Sequence, residues 1–564
     1  MNANQMASPM LNLYPDSLGG TLKDVTRFLQ SEAVRGAFGS LYILPSLYHT
    51  DLDRGFSVIS YDLNRDLATP ADMEALGALH IDLKLDFILN HASVLCDRFQ
   101  DILAKGNESV YKDFFIDWNR FWEGYGKMTA EGYIQPDEKY LKDMFFRKPG
   151  LPILMVRFPD GHSTPYWNTF YQEVRYPRVD EQDLMRISAM QFGGAKRLAA
   201  HINDSLDHGM TPSHIDFGEF EDAKASVLAF LDSNRKYLGQ MDLNIESPLV
   251  WEYYDQTLKQ LSGYGARIVR LDAFAYAPKT PGKRNFLNEP DTWDLLGRVG
   301  ALADQYDLTL QPEIHASYAE KTHEKLSQAG YMTYDFFLPG LLIDALECGN
   351  GQALSGWARE IQEKGMRTVN MLGCHDGIPL LDLKGLLPEP RIQQLIDTVV
   401  ARGGMVKDLH GQKNVYYQVN ATYFSALGEN VDKMLLARAI QLFMPGKPQV
   451  WYLDLFAGKN DIAAATDGGA GGHKEINRTN LSNQAIAQGL EQNIVTEQLK
   501  MLRFRNTFGA FGFDSHLDIV SDGASLHFIW ERDGCKAELI ADLKTYAFTI
   551  RATAATGDAW VIHP

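Results

Sequence analysis

Short apolar runs of six to nine residues recur along the chain. They alternate with longer stretches whose apolar positions return every three to four residues. The runs MLNLYP (10–15), GSLYILPS (39–46), IDLKLDFIL (81–89), ARIVRLDAF (266–274), LTLQPEIHA (308–316), MTYDFFLP (332–339), RTVNMLGC (367–374) and PQVWYL (448–453) are predicted strands. Stretches such as 247–263, 291–305 and 320–329 are predicted helices. Strand–helix alternation implies a parallel sheet. Eight such strands fit a closed barrel, and no Gly-rich turn of the nucleotide-binding type follows the first of them.

The strands are unevenly spaced. About 175 residues separate the third from the fourth, far more than a crossover needs. The predicted fold class is therefore α/β: a (β/α)8 TIM barrel with a large inserted domain after strand 3 and a smaller insert before strand 8. A C-terminal antiparallel β domain follows. Residues 1–92, 241–377 and 436–494 form the barrel in this reading. Residues 93–240 form the inserted domain, aromatic-rich at 114–126 and polar and helical over 183–239. Residues 378–435 form the second insert. Beyond 495, SLHFIWE and KAELIADLKTYAFTIRAT alternate at period two, the signature of half-buried antiparallel strands.

Composition is that of a soluble globular protein, so it narrows the fold no further. Charge does change the picture. A net charge of −18 argues against nucleic acid and anionic membrane as partners. It also requires that any anionic substrate meet local cations. The four cysteines Cys96, Cys348, Cys374 and Cys535 are scattered, which suggests neither a zinc site nor a disulfide framework. With no leader-like start and no membrane-length apolar run, the expectation is a reduced, cytoplasmic protein.

Candidate chemistry gathers at strand ends, where such barrels build active sites. In Ile268-Val269-Arg270-Leu271-Asp272, alternation puts Arg270 and Asp272 on one face. A neighbouring guanidinium favours an ionised Asp272, as a nucleophile requires. On its own, the motif also fits a structural ion pair. In Gln311-Pro312-Glu313-Ile314-His315 the proline should end the strand and aim Glu313 into the barrel mouth. Glu313 is a candidate general acid/base, which calls for a raised pKa. Alone, it reads more readily as an ordinary surface glutamate. Cys374-His375-Asp376-Gly377 closes the seventh strand, where Asp376 and His375 can hold sugar hydroxyls; alone it is a polar turn. Asn90-His91 and Asp53-Arg54-Gly55-Phe56 follow the third and second strands. Five polar clusters on one barrel face suit glycoside transfer with retention. That reaction needs a nucleophilic carboxylate and an acid/base carboxylate roughly 5–5.5 Å apart.

At these residues the chain resembles the α-amylase family, and within it the sucrose phosphorylase branch. The segments YPDSLGG, YILPS, DRGFSVISY, FILNHAS, FFRKPGLP, IVRLDAFAY, CHDGIPLLDL, YYQVNATYFSALG, PGKPQVWYLDLFAGKND and EINR carry the resemblance in order along nearly the whole chain. About 176–238 has no counterpart in it. The resemblance implies Asp272 as nucleophile, Glu313 as acid/base and Asp376 as transition-state stabiliser. It implies a glucose subsite of Asp53, Phe56, His91, Arg270, Tyr276, His375, Gln418 and Arg478. Phosphate and acceptor contacts fall on Arg147, Lys148 and Tyr417. Lys148 stands where the branch has an arginine, so Arg147 is the alternative bidentate cation. Val415 stands where sucrose-specific members carry an Asp that contacts fructose.

The implied reaction is α-glucoside plus phosphate giving α-glucose 1-phosphate plus acceptor. The implied cofactor is none and the implied metal is none, with inorganic phosphate as co-substrate. The partners are small molecules, with no nucleic acid and no membrane, and a homodimer is left open. Sucrose is the default donor. Alternatives are relatives acting on sucrose 6-phosphate, glucosylglycerol or glucosylglycerate; an α-glucosidase or transglucosidase; and a non-catalytic amylase-like binding protein. The three intact carboxylates weigh against the last.

Overall fold

The computed structural model describes residues 7–144, 146, 150–406, 418–467 and 472–562. Eight parallel strands form its centre: β1 (Met10–Leu13), β2 (Ser40–Ile43), β3 (Asp82–Ile88), β4 (Ala266–Asp272), β5 (Thr309–Pro312), β6 (Thr333–Asp335), β7 (Thr368–Met371) and β8 (Lys447–Trp451). Each is shorter than its predicted run and lies within it, except that β8 begins one residue earlier, at Lys447. Their order, β5-β4-β3-β2-β1-β8-β7-β6, brings the last strand beside the first. β5 and β6 neighbour each other at the seam, so the sheet is a nearly closed barrel. Every residue of β3 and of β8 is buried. Parallel strands covered on both faces require this.

The lumen is partly polar. Ladder register sets Asp86 beside Arg270, and Arg270 beside Gln311. One level below, Lys84 donates to the Tyr334 hydroxyl at 2.5 Å and to Gln449 Oε1 at 3.1 Å. Its ammonium also lies 4.1 Å from the centre of the Tyr42 ring, a cation–π contact. These groups form the floor beneath the barrel mouth.

The long β3–β4 connection carries strands and helices of its own. Strands Gln172–Arg175, Lys236–Asp242 and His91–Ser93 form one antiparallel sheet, and Ile153–Arg157 pairs with Ser163–Trp167. Trp118, Trp122 and Trp167 fill a small aromatic core. Between Arg175 and Lys236 the chain makes helices Glu181–Ser188, Phe192–Asp207 and Lys224–Ser233. These close on a separate apolar core that includes Leu184, Leu198, Ile202, Phe217 and Leu231. Asp242 ties the whole insert to the barrel. It pairs with buried Lys279 at 2.7 Å and accepts from Asn90 at 3.1 Å and from the Thr169 hydroxyl at 2.6 Å. A buried charge needs such a full set of partners.

The C-terminal strands His516–Asp522, Ser525–Arg532, Cys535–Asp542, Phe548–Thr553 and Ala559–Ile562 form an antiparallel meander in chain order. It starts at His516; the residues just after 495 belong to the helix Asn493–Thr507, which packs on Val431–Phe443. Trp530 fastens the meander by donating to the Phe443 carbonyl at 2.9 Å.

Candidate active site

The strand ends β3, β4, β5 and β7 open onto one cavity of about 1340 Å³. Among the residues lining it are Asp53, Phe56, His91, Asp272, Tyr276, Glu313, His375, Asp376, Gln418 and Arg478. Of the predicted glucose subsite, only Arg270 is set behind the wall. Arg147, Lys148, Val415 and Tyr417, the predicted phosphate and acceptor positions, lie outside the described residues.

Arg270 organises the centre from behind. Its guanidinium reaches Asp272 Oδ1 at 2.9 Å, Glu313 Oε1 at 2.7 Å and Asp86 Oδ1 at 2.5 Å. One rigid fork thus holds the nucleophile and acid/base candidates together, which a lysine could not do. β5 ends at Pro312, and the Glu313 amide donates to the Leu271 carbonyl at 3.2 Å. The proline break therefore sets Glu313 beside the end of β4. Ala273, just after Asp272, has φ 52°, a left-handed conformation that costs energy for an alanine. Strain is stored at the strand end that presents Asp272.

The proton preference of the two carboxylates is the reverse of the expectation from sequence. Burial pushes Asp272 up, and the carboxylates of Glu313 and Asp86 keep it well above the usual range despite Arg270. Burial also works upward on Glu313, but Arg270 and then His315 outweigh it and hold it below the usual range. The difference lies in the neighbours. Glu313 has a second cationic partner in His315 (Nε2 to Oε1, 3.6 Å), while Asp272 faces further carboxylates. Both groups share one guanidinium, so they titrate as a pair.

The opposite wall carries Asp376 and Asp53. Lys474 bridges them at 3.1 Å each, and Arg478 stands at 3.6 Å and 3.8 Å. His375 Nε2 is 3.2 Å from Asp376. Burial would raise Asp376, but His375 and Lys474 hold it well below the usual range. Burial keeps His375 and His91 below the ordinary histidine value. His91 Nε2 donates to the Phe56 carbonyl at 2.9 Å. Phe56 stacks on His375, with centroids 5.0 Å apart and 12° between planes. Tyr276, Phe170 and Phe286 add an aromatic side, with centroid spacings of 5.2 Å and 4.6 Å from Tyr276. Apolar ring faces beside fixed polar groups are what a sugar ring requires.

The turn that presents Asp53 and Phe56 is forced. Asp53 and Arg54 have φ 49° and Gly55 has φ 121°. A Cβ at Gly55 would lie 2.3 Å from the Ser46 backbone nitrogen, so only glycine fits. Arg54 locks the turn by donating to the Arg478 carbonyl at 2.7 Å.

Three site residues are not singled out by the sequence: Lys474, His315 and Asp382. Lys474 sits four residues before Arg478, and His315 two residues after Glu313. Asp382 lies within CHDGIPLLDL but looks there like any turn carboxylate. At the rim, Lys142 and Arg284 line the cavity and make no ion pair or hydrogen bond among the described residues. Among the described residues one His/Glu cluster has metal-like spacing: His323, Glu324 and Glu360. Lys364, at 2.8 Å and 2.7 Å from the two glutamates, already neutralises it, and it does not line the cavity.

No family model matches the chain. A sucrose 6(F)-phosphate phosphorylase from Ilumatobacter coccineus is 48% identical over 560 residues, 98% of this chain and 96% of the relative. The crystal structure of a sucrose 6F-phosphate phosphorylase from Thermoanaerobacter thermosaccharolyticum superposes with a TM-score of 0.80 at 29% identity, covering 99% of this chain and 98% of the other. An α-amylase from H. orenii shares the fold, with a TM-score of 0.59 at 13% identity over 97% of this chain and 92% of its own.

Proposed function

The chain belongs to the sucrose phosphorylase-like branch of the α-amylase family, glycoside hydrolase family 13, and from that we propose that it phosphorolyses sucrose 6F-phosphate. The products would be α-glucose 1-phosphate and fructose 6-phosphate. The near-full-length 48% likeness to a phosphorylase of that name carries the acceptor reading. Support comes from the rim, where Lys142 and Arg284 give a phosphorylated acceptor local positive charge in a chain of net charge −18. Fructose, the default acceptor by resemblance, needs no such charge.

In this reading the reaction is a double displacement. Asp272 attacks the anomeric carbon while Glu313 protonates the departing glycosidic oxygen, leaving a β-glucosyl ester on Asp272. A phosphate oxygen then attacks the same carbon from the opposite face and Asp272 leaves. Glu313, now a carboxylate, takes up the proton that phosphate loses. Two inversions retain the α configuration. Asp376 faces the positive charge that develops on the sugar. The first step needs the pair's one proton on Glu313, with Asp272 ionised.

No resident cofactor or metal is proposed, and phosphate is a co-substrate. The proposed location is the cytoplasm, which suits four cysteines that are all unpaired. No described helix is long and apolar enough to cross a membrane.

The test is an acceptor screen run in reverse from α-glucose 1-phosphate with fructose 6-phosphate, fructose, glycerol and glycerate. Phosphate release should be fastest with fructose 6-phosphate by about tenfold or more in kcat/KM, a difference of about 1.4 kcal/mol. Equal or faster release with fructose would overturn the acceptor reading. Glucose as the only product from the donor, whatever the phosphate concentration, would overturn phosphorolysis.

A further inference from the structure

His315 lies against Glu313 on the cavity wall, and the side chain is almost wholly buried, at 4% exposed. Its Nδ1 is 3.0 Å from Asp382 Oδ2, and its Nε2 is 3.6 Å from Glu313 Oε1. The Gln418 amide nitrogen is 3.4 Å from the same Nε2. The ring is stacked flat on Phe336, with centroids 3.8 Å apart. Asp382, equally buried, comes from the short turn Leu381–Leu383 that follows the Asp376 loop. It does not contact Glu313 or Asp272 among the described hydrogen bonds and ion pairs.

Two flanking carboxylates favour the charged form of this imidazole. Nδ1 must donate to Asp382, because a carboxylate only accepts. A neutral ring could accept from the Gln418 amide at Nε2, but that lone pair would also lie 3.6 Å from the Glu313 carboxylate, an acceptor beside an acceptor. A doubly protonated ring donates to Asp382 and sets its positive charge against Glu313, between two carboxylates. His315 is held up at about 9, where burial works downward but Asp382 and Glu313 outweigh it. Other charged groups near this row are Arg270, on the far side of Glu313, the carboxylates of Asp272 and Asp376, and Glu320, which acts on Asp382.

We propose that Asp382 is a positioning residue: it holds His315 as an imidazolium with Nε2–H toward Glu313, and through that charge sets the proton affinity of the acid/base. The inference rests on Glu313 having that role, whichever acceptor the enzyme uses. An imidazolium next to a carboxylate stabilises its ionised form and lowers its pKa. Removing the charge raises it. The basic limb of kcat/KM reports loss of the one proton the Asp272–Glu313 pair must carry, so it should move to higher pH when His315 becomes neutral.

The experiment is a pH profile of kcat/KM for the enzyme and its D382N, D382E and H315Q variants, with α-glucose 1-phosphate as donor. In D382N the basic limb should move up by about half a pH unit or more. D382E, which keeps a carboxylate, should leave the limb in place. H315Q, which keeps a donor but no charge, should move it as D382N does, and serves alone if D382N does not fold. A D382N or H315Q profile that is lower at every pH but has an unmoved limb would mean a purely structural role and overturn the proposal. So would a downward shift, or D382E moving as D382N does. Failure of the underlying reading looks different: Glu313→Gln would then turn over the donor at near wild-type rate.

Discussion

Three carboxylates identified from their flanking residues come together around one cavity, and two of them are tested by single substitutions. Asp272→Ala and Glu313→Gln should each lower kcat by about 10³-fold or more, measured as phosphate release from α-glucose 1-phosphate. Near-wild-type rates in either would refute the assigned role. Thermal unfolding should stay close to wild type in Glu313→Gln, because the amide can still accept from Arg270. The trio was legible because each member ends or closely follows a strand and has a distinctive neighbour: Arg270, Pro312 and His375. The proton preference was not legible. It depends on Asp86, His315 and Asp382, which lie 186, 43 and 110 residues from Asp272 in sequence (272 − 86, 315 − 272, 382 − 272). Nothing in the chain's periodicity says that 315 and 382 touch. Only the barrel's closure brings those loops together.

At the level of elements, each of the eight predicted strands is present and each predicted run is too long. Apolar character continues past the point where backbone pairing stops, as at Pro312, which cannot donate to a ladder. What periodicity could not show is the geometry of the turns that carry the site. The Asp53–Gly55 turn is the sharpest case, with three successive residues at positive φ. Gly55→Ala should destabilise the protein by about 1–3 kcal/mol and raise KM for the glucosyl donor more than it lowers kcat. Asp53 and Phe56 would be displaced while Asp272 and Glu313 stay in place. Differential scanning calorimetry and steady-state kinetics check the two parts. An unchanged KM would mean that the turn does not shape the glucose subsite.

For the whole molecule, the eight strands and their long third connection were readable from spacing alone. The interior of that connection was not, because helices that bury their apolar faces against each other leave no mark of where they attach. Attachment is narrow. The chain leaves the insert's sheet at Arg175 and re-enters at Lys236, and these two residues are antiparallel partners on adjacent strands. Paired Cα atoms lie roughly 4.5–5.5 Å apart, a gap that a two-residue Asn-Gly turn closes. The three helices, with their own core, are therefore a cassette spliced into the tip of a hairpin. Replacing 176–235 by Asn-Gly should leave a folded enzyme that turns over α-glucose 1-phosphate within a few-fold of the parent. Loss of folding or of turnover would show that the barrel depends on the cassette. In evolutionary terms, such a joint lets a lineage gain, lose or exchange sixty residues at one point without disturbing the catalytic centre.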